Sequence, residues 1–383
     1  MTTSPAESHT RGPVETVGEL VDETGDPDTK RARKGDPRWL PPGGTLHCRA
    51  ESGQLAFTTD ERHAAKDRAV WWILVWCGKV GRAKAQAPVH PDNTLNELSG
   101  EEWLYFTKSL WTTAYPSELG HAARKAHGAN KPPRLMARLI EFFTKPGELV
   151  LDPFAGVGGT LLGAAVCRSP RRALGFEIEP RWAEVYESVV GDTLAGQDGN
   201  AAVLADLGTA DPGGPRGFDP TGSRMVVGDA VGLMSELEPG SVDFVATDPP
   251  YNPQLRLTMA GGRLAEQFAN RRTDYAMVTT DPADLANSAT YAEYLDRMEA
   301  VLGGLHRVLR DKRYATIIVR DAYQEGRYRF TGADLATRAE RVGFVTKGDL
   351  VWYQAGARLR PYGYPHGFVP NIVHQHILVL RAE

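Results

Sequence analysis

The chain has 383 residues, of which 24% are charged and 42% hydrophobic, and its formal net charge is −4. This composition is that of an ordinary globular protein and excludes histone-like, collagen-like and fully disordered chains. Three widely spaced cysteines, Cys48, Cys77 and Cys167, exclude a disulfide framework and a cysteine-built zinc site and fit a reducing cytoplasm. The longest apolar run, residues 69–77, is far shorter than the ~20 residues of a membrane-spanning helix.

The N-terminal part of the chain divides into two predicted segments. Residues 1–44 hold few large apolar side chains, and their charge changes from acidic to basic at about Lys30, which predicts a disordered tail. Residues 45–130 are predicted to form an aromatic-rich extension of one folded domain that runs from 45 to 383. Within the extension, the apolar run Val70–Trp76 predicts a buried strand.

From residue 131 onward the pattern is that of an α/β domain. A helix over Leu135–Phe143 is followed by strand, glycine-rich turn, helix and strand up to residue 190, and this alternation predicts a Rossmann-type parallel sheet with helices on both faces. Residues 191–222 are rich in Gly, Asp and Pro and predict an inserted loop. Further strands are predicted in 223–383, at 224–228, 242–247 and 314–319, around residue 352 and at the C-terminus.

A glycine-rich turn, DPFAGVGGT, runs from Asp152 to Thr160 between the first strand and its helix. Glycines at such a turn let the backbone approach a ligand. A dinucleotide fingerprint needs a further glycine three residues after Gly158, and that position is Leu161. The turn therefore favours a nucleoside ligand without a pyrophosphate, and S-adenosylmethionine is the obvious candidate. A purely structural turn is the alternative.

Two acidic residues follow this turn at the ends of the next two predicted strands. Glu177 lies 21 residues after Gly156, where a carboxylate can accept hydrogen bonds from both ribose hydroxyls. Asp229 follows the third strand and can accept a hydrogen bond from an adenine amino group. The turn and the two carboxylates together predict a cofactor site at one edge of the sheet.

A second motif, Asp248-Pro249-Pro250-Tyr251, follows the predicted strand VDFVAT. Pro-Pro is natural where a strand ends in a turn, but a turn alone leaves the acid and the ring unexplained. The Asp248 carboxylate and the Pro249 carbonyl can each accept a hydrogen from an amino group. The Tyr251 ring can stack on a planar base, a contact worth ~1–3 kcal/mol.

These two motifs resemble those of the amino-directed DNA methyltransferases, which methylate adenine N6 or cytosine N4. The likeness extends from about Asn93 to the C-terminus and includes FTKSLW from Phe106, KPPRLMARLI from Lys131, GFEIEPRW from Gly175 and NIVHQHILVLR from Asn371. The chain departs from one arrangement of the family, in which the Asp-Pro-Pro-Tyr motif comes first. It also carries Val157 and Gly159 where Ser and Thr are common.

The resemblance implies a class I methyltransferase fold and direct transfer of a methyl group from S-adenosylmethionine to an exocyclic amino nitrogen. The target base would be rotated out of double-stranded DNA, and no metal ion or cysteine nucleophile is required. The catalytic residues it implies are Asp248, Pro249, Pro250 and Tyr251. The cofactor-binding residues it implies are Lys131, Asp152, Phe154, Gly156, Gly158, Glu177 and Asp229.

DNA is the partner that this resemblance implies, together with a cognate restriction or defence protein in some systems and no membrane. Arginines follow the second motif in an insertion at about 252–290, where they can contact phosphates or simply form a solvated helix face. A second basic and aromatic segment, 355–368, is another candidate DNA edge. His366, His374 and His376 lie in or beside a strand pattern and predict no metal site. The arginines of the insertion are Arg256, Arg263, Arg271 and Arg272.

Three alternatives stay open from the sequence. RNA guanine-N2 methyltransferases resemble the same motif order, and a catalytically silent base-binding protein could use the same scaffold. A nicotinamide-dependent oxidoreductase is disfavoured by the missing glycine. The motifs do not distinguish adenine from cytosine as the target, and they do not reveal the recognition sequence or the oligomeric state.

Overall fold

The computed structural model describes residues 14–17, 45–50, 53–58, 88–115, 118–169, 171–195, 218–250, 279–324, 326–354 and 356–383. The chain forms two compact units, residues 1–88 and 89–383. None of the helices in the described ranges is long and apolar enough to cross a membrane.

The described part of the first unit is a three-stranded antiparallel sheet. Its strands are β1 (Val14–Val17), β2 (Thr45–Ala50) and β3 (Gly53–Thr58), in the order β1-β2-β3. β1 lies inside the segment 1–44 that the sequence predicts as a tail. The predicted strand Val70–Trp76 lies outside the described residues.

The second unit is built on an eight-stranded sheet with the order β4-β12-β13-β9-β8-β5-β6-β7. The five strands from β5 to β9 are parallel, and β13 is inserted antiparallel between β9 and β12. A small hairpin of β10 and β11 stands apart. The strands are β4 (Leu110–Trp111), β5 (Leu149–Asp152), β6 (Arg172–Glu177), β7 (Ser223–Val227), β8 (Val242–Thr247), β9 (Leu309–Val319), β10 (Ala322–Gln324), β11 (Arg327–Arg329), β12 (Phe344–Tyr353) and β13 (His374–Ala382).

Helices cover both faces of this sheet. In the described residues they are α1 (Gly100–Phe106), α2 (His121–Arg124), α3 (Pro133–Phe143), α4 (Gly159–Ala165), α5 (Pro180–Leu194), α6 (Ala230–Ser235), α7 (Tyr291–Val308) and α8 (Thr331–Arg341). α1 begins with a capping box of Ser99 and Glu102, and α3 begins with Pro133, a residue that suits the first helical position. α5 continues to Leu194, so the predicted loop at 191–222 begins later than expected, and its residues 196–217 are not described.

Successive residues of a strand point to opposite faces of the sheet and pack in two separate hydrophobic cores. Val150 of β5 and Phe244 of β8 point to the face covered by α3, α4 and α5, whereas Leu151 and Val245 point to the face covered by α6, α7 and α8. Strands buried on both faces read as continuous apolar runs, which is why the sequence pattern identified them. The predicted α/β fold with helices on both faces is confirmed.

The order of the strands determines where a ligand can bind. From β5 the chain runs outward to β6 and β7 and then returns to the other side of β5 to form β8. The reversal of direction between β5 and β8 is a topological switch point, and ligands of open α/β sheets bind at the carboxyl ends of the strands beside it. Both sequence motifs follow directly after these two strands.

Candidate active site

A cavity of about 610 Å³ opens at the carboxyl ends of β5 to β9, within the size range of small-molecule sites. Its walls include the glycine-rich turn after β5, Glu177 at the end of β6, Asp229 after β7 and Asp248 after β8. The two sequence motifs therefore share one cavity, although 96 residues separate Asp152 from Asp248.

The glycine-rich turn is constrained by the backbone and by packing. Gly156 and Gly158 have left-handed φ angles of +52° and +76°, a conformation that side chains other than glycine rarely adopt. A Cβ atom on Gly158 would lie 2.2 Å from the ring of Tyr186. The close approach that excludes a side chain at Gly158 is therefore to Tyr186 of α5, and this packing adds a reason for the glycine beyond ligand approach.

Asp152 connects the turn to the neighbouring strand. Its Oδ1 accepts hydrogen bonds from the Thr247 hydroxyl (2.6 Å) and the Phe154 amide (3.1 Å), and its Oδ2 accepts one from the Thr160 hydroxyl (2.5 Å). Burial raises the pKa of Asp152 to about 6. Because Thr247 directly precedes Asp248, this carboxyl group ties the glycine-rich turn to the second motif.

Glu177 and Asp229 both face the cavity and already hold backbone amides. Glu177 accepts from the amides of Gly156 (2.8 Å) and Glu179 (2.9 Å), one on each carboxylate oxygen. Burial raises the pKa of Glu177 to about 7. Asp229 caps α6 by accepting from Gly232 at 2.8 Å. Because a carboxylate oxygen has two acceptor sites, both residues keep acceptor capacity toward the cavity.

Asp248 forms a nearly buried ion pair with Lys131. The Lys131 ammonium group donates to Asp248 Oδ2, and the two side chains are only 8% and 11% exposed. The second oxygen, Oδ1, is buried and has no hydrogen-bond partner among the described residues. Burial raises the pKa of Asp248, and the charge of Lys131 opposes that rise.

Lys131 is held by the segment that precedes α3. The buried Arg124 side chain donates to the Lys131 carbonyl oxygen at 2.7 Å, and burial lowers the pKa of Arg124 to about 10. Lys131 also lines the cavity. The structure places its ammonium group in the ion pair with Asp248, and its predicted contact with the cofactor stays a prediction.

The remaining predicted residues fall into two groups. Phe154, Pro249 and Pro250 line the cavity. Tyr251 and the four arginines of the insertion lie outside the described residues, so their predicted roles stay predictions. Those arginines are Arg256, Arg263, Arg271 and Arg272.

Sequence reasoning did not identify His127 and Asp284, which also line the cavity. The His127 ring lies 3.3 Å from the position of a Cβ on Gly156, and its buried Nδ1 has no hydrogen-bond partner among the described residues. Burial, together with the nearby charges of Lys131 and Arg124, lowers the pKa of His127 to about 4, so the ring is neutral. Its position four residues before Lys131 is the one signal that could have indicated it.

The cavity carries an excess of acidic groups. Arg297 and Arg320 share it with Lys131, but the Arg297 guanidinium is occupied by backbone carbonyls such as Ala283 O at 2.6 Å. Such a wall favours a ligand that bears positive charge. The carboxyl groups that line it are those of Asp152, Glu177, Asp229, Asp248 and Asp284.

Among the described residues, one group of side chains has metal-ligand chemistry: the ligand atoms of Asp321, His374 and His376 lie within 4.8 Å of one another. His376 lies between two carboxylates, with Nδ1 2.8 Å from Asp349 and Nε2 3.4 Å from Asp321. These carboxylates raise the pKa of His376 to about 10. A protonated imidazole has no free ring nitrogen for a metal ion, so this arrangement supports an ion-pair network.

Part of the chain is similar to known DNA methylases. Residues 61–188 match the family model N6_N4_Mtase, DNA methylase. The Type II methyltransferase M.MthZI of Methanothermobacter thermautotrophicus is 32% identical over 96 residues, 24% of this chain and 26% of that protein. The Type II methyltransferase M.HinfI of Haemophilus influenzae is 30% identical over 118 residues, 30% of this chain and 31% of that protein. The chain thus spans about a quarter to a third of the length of these relatives.

Among solved structures, the chain is similar to a putative DNA modification methylase from Thermus thermophilus in complex with S-adenosyl-L-methionine. The two are 24% identical over 41% of this chain and 54% of that chain, with a TM-score of 0.28.

Proposed function

We propose that this chain, whose residues 61–188 match the N6_N4_Mtase family model of DNA methylases, is a site-specific DNA methyltransferase that uses S-adenosylmethionine. The acceptor is an exocyclic amino nitrogen, adenine N6 or cytosine N4, of a base rotated out of the duplex. The protein is proposed to work in the cytoplasm, where it meets its DNA. A restriction or defence protein as a further partner is part of the same hypothesis.

The observation that supports this proposal most strongly is the state of Asp248. One carboxylate oxygen is bound to Lys131, while the other is buried beside Pro249 and has no partner among the described residues. A buried acceptor without a partner is costly, and an amino group brought into the cavity would satisfy it. The Asp248 carboxylate and the carbonyl oxygen of Pro249, a residue with no backbone N–H of its own, would each accept one of the two hydrogens of that amino group.

Such a grip changes the reactivity of the base. The lone pair of an exocyclic amino nitrogen is delocalised into the ring, which makes it a poor nucleophile. Two acceptors that fix both N–H bonds in a chosen direction favour a geometry in which the pair is localised on nitrogen. After methylation the nitrogen must lose one proton, and Asp248 is the group in contact with it.

The cavity fits the chemical groups of S-adenosylmethionine. Glu177, with acceptor capacity left on both oxygens, suits the ribose hydroxyls, and Asp229 suits the adenine amino group. The acidic wall suits the positive charges of the sulfonium and ammonium groups. When bound, the cofactor supplies the methyl group on a sulfonium that leaves as a neutral thioether.

Residues outside the described ranges complete the proposal. Tyr251 directly follows Pro250 and would stack on the rotated base. Arg271 and Arg272, in the insertion, would contact DNA phosphates. Changing both arginines to alanine is expected to lower DNA affinity and to flatten its dependence on salt.

The test is a transfer assay that does not assume the target. The full chain is incubated with cofactor labelled on the methyl group and, separately, with genomic DNA and total RNA, and the products are digested to nucleosides. We expect label in N6-methyldeoxyadenosine or N4-methyldeoxycytidine. Label in a methylguanosine from the RNA pool would overturn the choice of DNA in favour of an RNA guanine-N2 activity.

The test variant is Asp248→Asn, which keeps the size of the side chain and removes its charge. We expect this variant to lose transfer while its calorimetric affinity for S-adenosylmethionine stays within a few-fold of wild type, because Asp248 faces the base. Retained turnover in a variant that still binds the cofactor would show that Asp248 is not the amino-group acceptor.

A further inference from the structure

The loop between β12 and β13, residues 354–373, displays apolar and basic side chains beside the cavity. Leu359, Tyr364 and Phe368 are 68%, 75% and 86% exposed. Arg358 is exposed as well, and the loop sequence contains no Asp or Glu. Large apolar side chains exposed so close together on a positively charged segment indicate a binding surface.

The backbone holds this β12–β13 loop in a defined shape. Its two ends are joined by the bond from the Gln354 amide to the Val373 carbonyl, 2.8 Å. Further along, the Asn371 side chain accepts from the Arg360 amide and donates to the Arg360 carbonyl, both at 2.8 Å. At the tip, the Gly367 amide donates to the Gly363 carbonyl at 2.8 Å. The exposed side chains are therefore presented on a pre-shaped support, which reduces the ordering cost of binding.

The loop is anchored at the cavity itself. Trp352 and Gln354 at its first end and Gln375 just beyond its second end all line the cavity. This follows from the antiparallel direction of β13, whose first residues lie at the same edge of the sheet as the carboxyl ends of the parallel strands. Both ends of the loop therefore lie at the wall of the cavity.

We propose that the β12–β13 loop is a docking surface for double-stranded DNA, an inference that rests on the proposed function. Arg358 and Arg360 contact backbone phosphates. Phe368, the most exposed of the loop's large apolar side chains, fills the space left in the duplex when the target base rotates out. In other DNA-binding proteins, apolar side chains act as wedges between base steps. The negative charge of duplex DNA complements a loop that has arginines and no acidic residues.

The first test removes the two charges. The double variant Arg358→Ala/Arg360→Ala is compared with wild type by titrating a fluorescent DNA duplex at several salt concentrations. Loss of two phosphate contacts makes the slope of log affinity against log salt shallower by about 1.8. Between 50 and 200 mM salt, the gap in affinity between wild type and variant then narrows by about twelvefold.

The matched control, Arg172→Ala/Arg224→Ala, removes two exposed arginines from the amino ends of β6 and β7, at the opposite edge of the sheet. Its slope is expected to equal that of wild type. A slope in the β12–β13 loop variant that equals wild type would overturn the proposal. An RNA duplex that competes for wild type at lower concentration than the DNA would overturn the choice of DNA.

The second test addresses the ring. Phe368→Ala removes no charge, so its salt slope stays that of wild type, while methyl transfer to native DNA falls more than transfer to heat-denatured DNA. An equal effect on both substrates would exclude the wedge role. Failure of wild type to methylate any DNA would count against the proposed function alone, because the salt titration measures binding without methyl transfer.

Discussion

The ion pair between Lys131 and Asp248 gives the most direct test of how this cavity works. Lys131→Met keeps an unbranched side chain of similar length and removes the charge next to Asp248. In the wild type both groups are almost inaccessible to solvent, at 8% and 11% exposure. The substitution therefore leaves a carboxylate in a poorly solvated position with no opposite charge beside it.

The expected loss of stability follows from that burial. Removing one partner of a buried pair typically costs about 3–5 kcal/mol, because the remaining charge is left uncompensated. Here Asp248 can reduce the cost by taking up a proton. Burial already raises the pKa of Asp248, and Lys131 opposes that rise, so the pKa rises further in the variant.

The sign of the pH dependence follows from the raised pKa. A carboxyl group whose pKa is higher in the folded than in the unfolded state binds more protons when folded, so it lowers stability as the pH rises. The deficit of Lys131→Met relative to wild type should therefore be smallest in acid and grow toward alkaline pH. The double variant Lys131→Met/Asp248→Asn removes both charges and should recover most of the loss.

Activity should respond in the same direction. In the proposed function, an ionised Asp248 would accept hydrogen bonds from the substrate amino group more strongly than a protonated one. The acid limb of the profile of kcat against pH should thus move to higher pH in Lys131→Met, with lower transfer at neutral pH. A purely structural role for Lys131 would lower the yield of folded protein without moving this limb.

The measurements are urea unfolding and methyl transfer, each followed from about pH 5 to pH 9. The control is Lys347→Met, which breaks the solvent-exposed pair of Lys347 with Glu383 (2.8 Å). We expect no measurable change in this control, because exposed ion pairs contribute little. A stability deficit in Lys131→Met that is independent of pH, together with an unmoved acid limb, would refute the electrostatic account.

Two further predictions concern the cofactor half of the cavity. Because the pKa of Glu177 is raised to about 7, the calorimetric affinity for S-adenosylmethionine should increase as the pH rises through that value. Glu177→Gln should weaken binding and abolish this pH dependence. If the variant keeps the pH profile of wild type, the ribose contact is excluded. Gly158→Ala should destabilise the fold by about 2–4 kcal/mol, since it combines a left-handed φ with a Cβ 2.2 Å from the Tyr186 ring. The control Gly303→Ala, in a helix with nothing within 4 Å, should stabilise by up to about 1 kcal/mol, and equal melting temperatures of the two variants would contradict this reasoning.

The parts of the fold that could be predicted from sequence are those encoded locally. The strand at Val242–Thr247 is buried throughout, and its apolar run shows this without any knowledge of its neighbours. The turn after Asp152 could also be predicted, because its glycines stand together in the sequence. The explanation of Gly158 was incomplete, because the ring that excludes a side chain there belongs to Tyr186, 28 residues further along the chain.

Contacts that depend on the order of strands could not be predicted in this way. Lys131 and Asp248 are 117 residues apart. They meet because α3, which follows Lys131, packs on the sheet against β8, the strand that precedes Asp248. The proximity of the β12–β13 loop to the cavity likewise depends on β13 running antiparallel, a feature that the pattern of HILVLR does not carry.

The same dependence on strand order explains why the position of the Asp-Pro-Pro-Tyr motif along the chain matters little. β5 and β8 are neighbours in the sheet, so Asp152 and Asp248 face one cavity whichever strand comes first in sequence. A permutation that moved the motif ahead of the glycine-rich turn would change the connections at the strand ends while preserving the Asp152 to Thr247 hydrogen bond. Adjacency of β5 and β8 in the sheet, rather than the order of the two motifs in sequence, therefore brings Asp152 and Asp248 to one cavity.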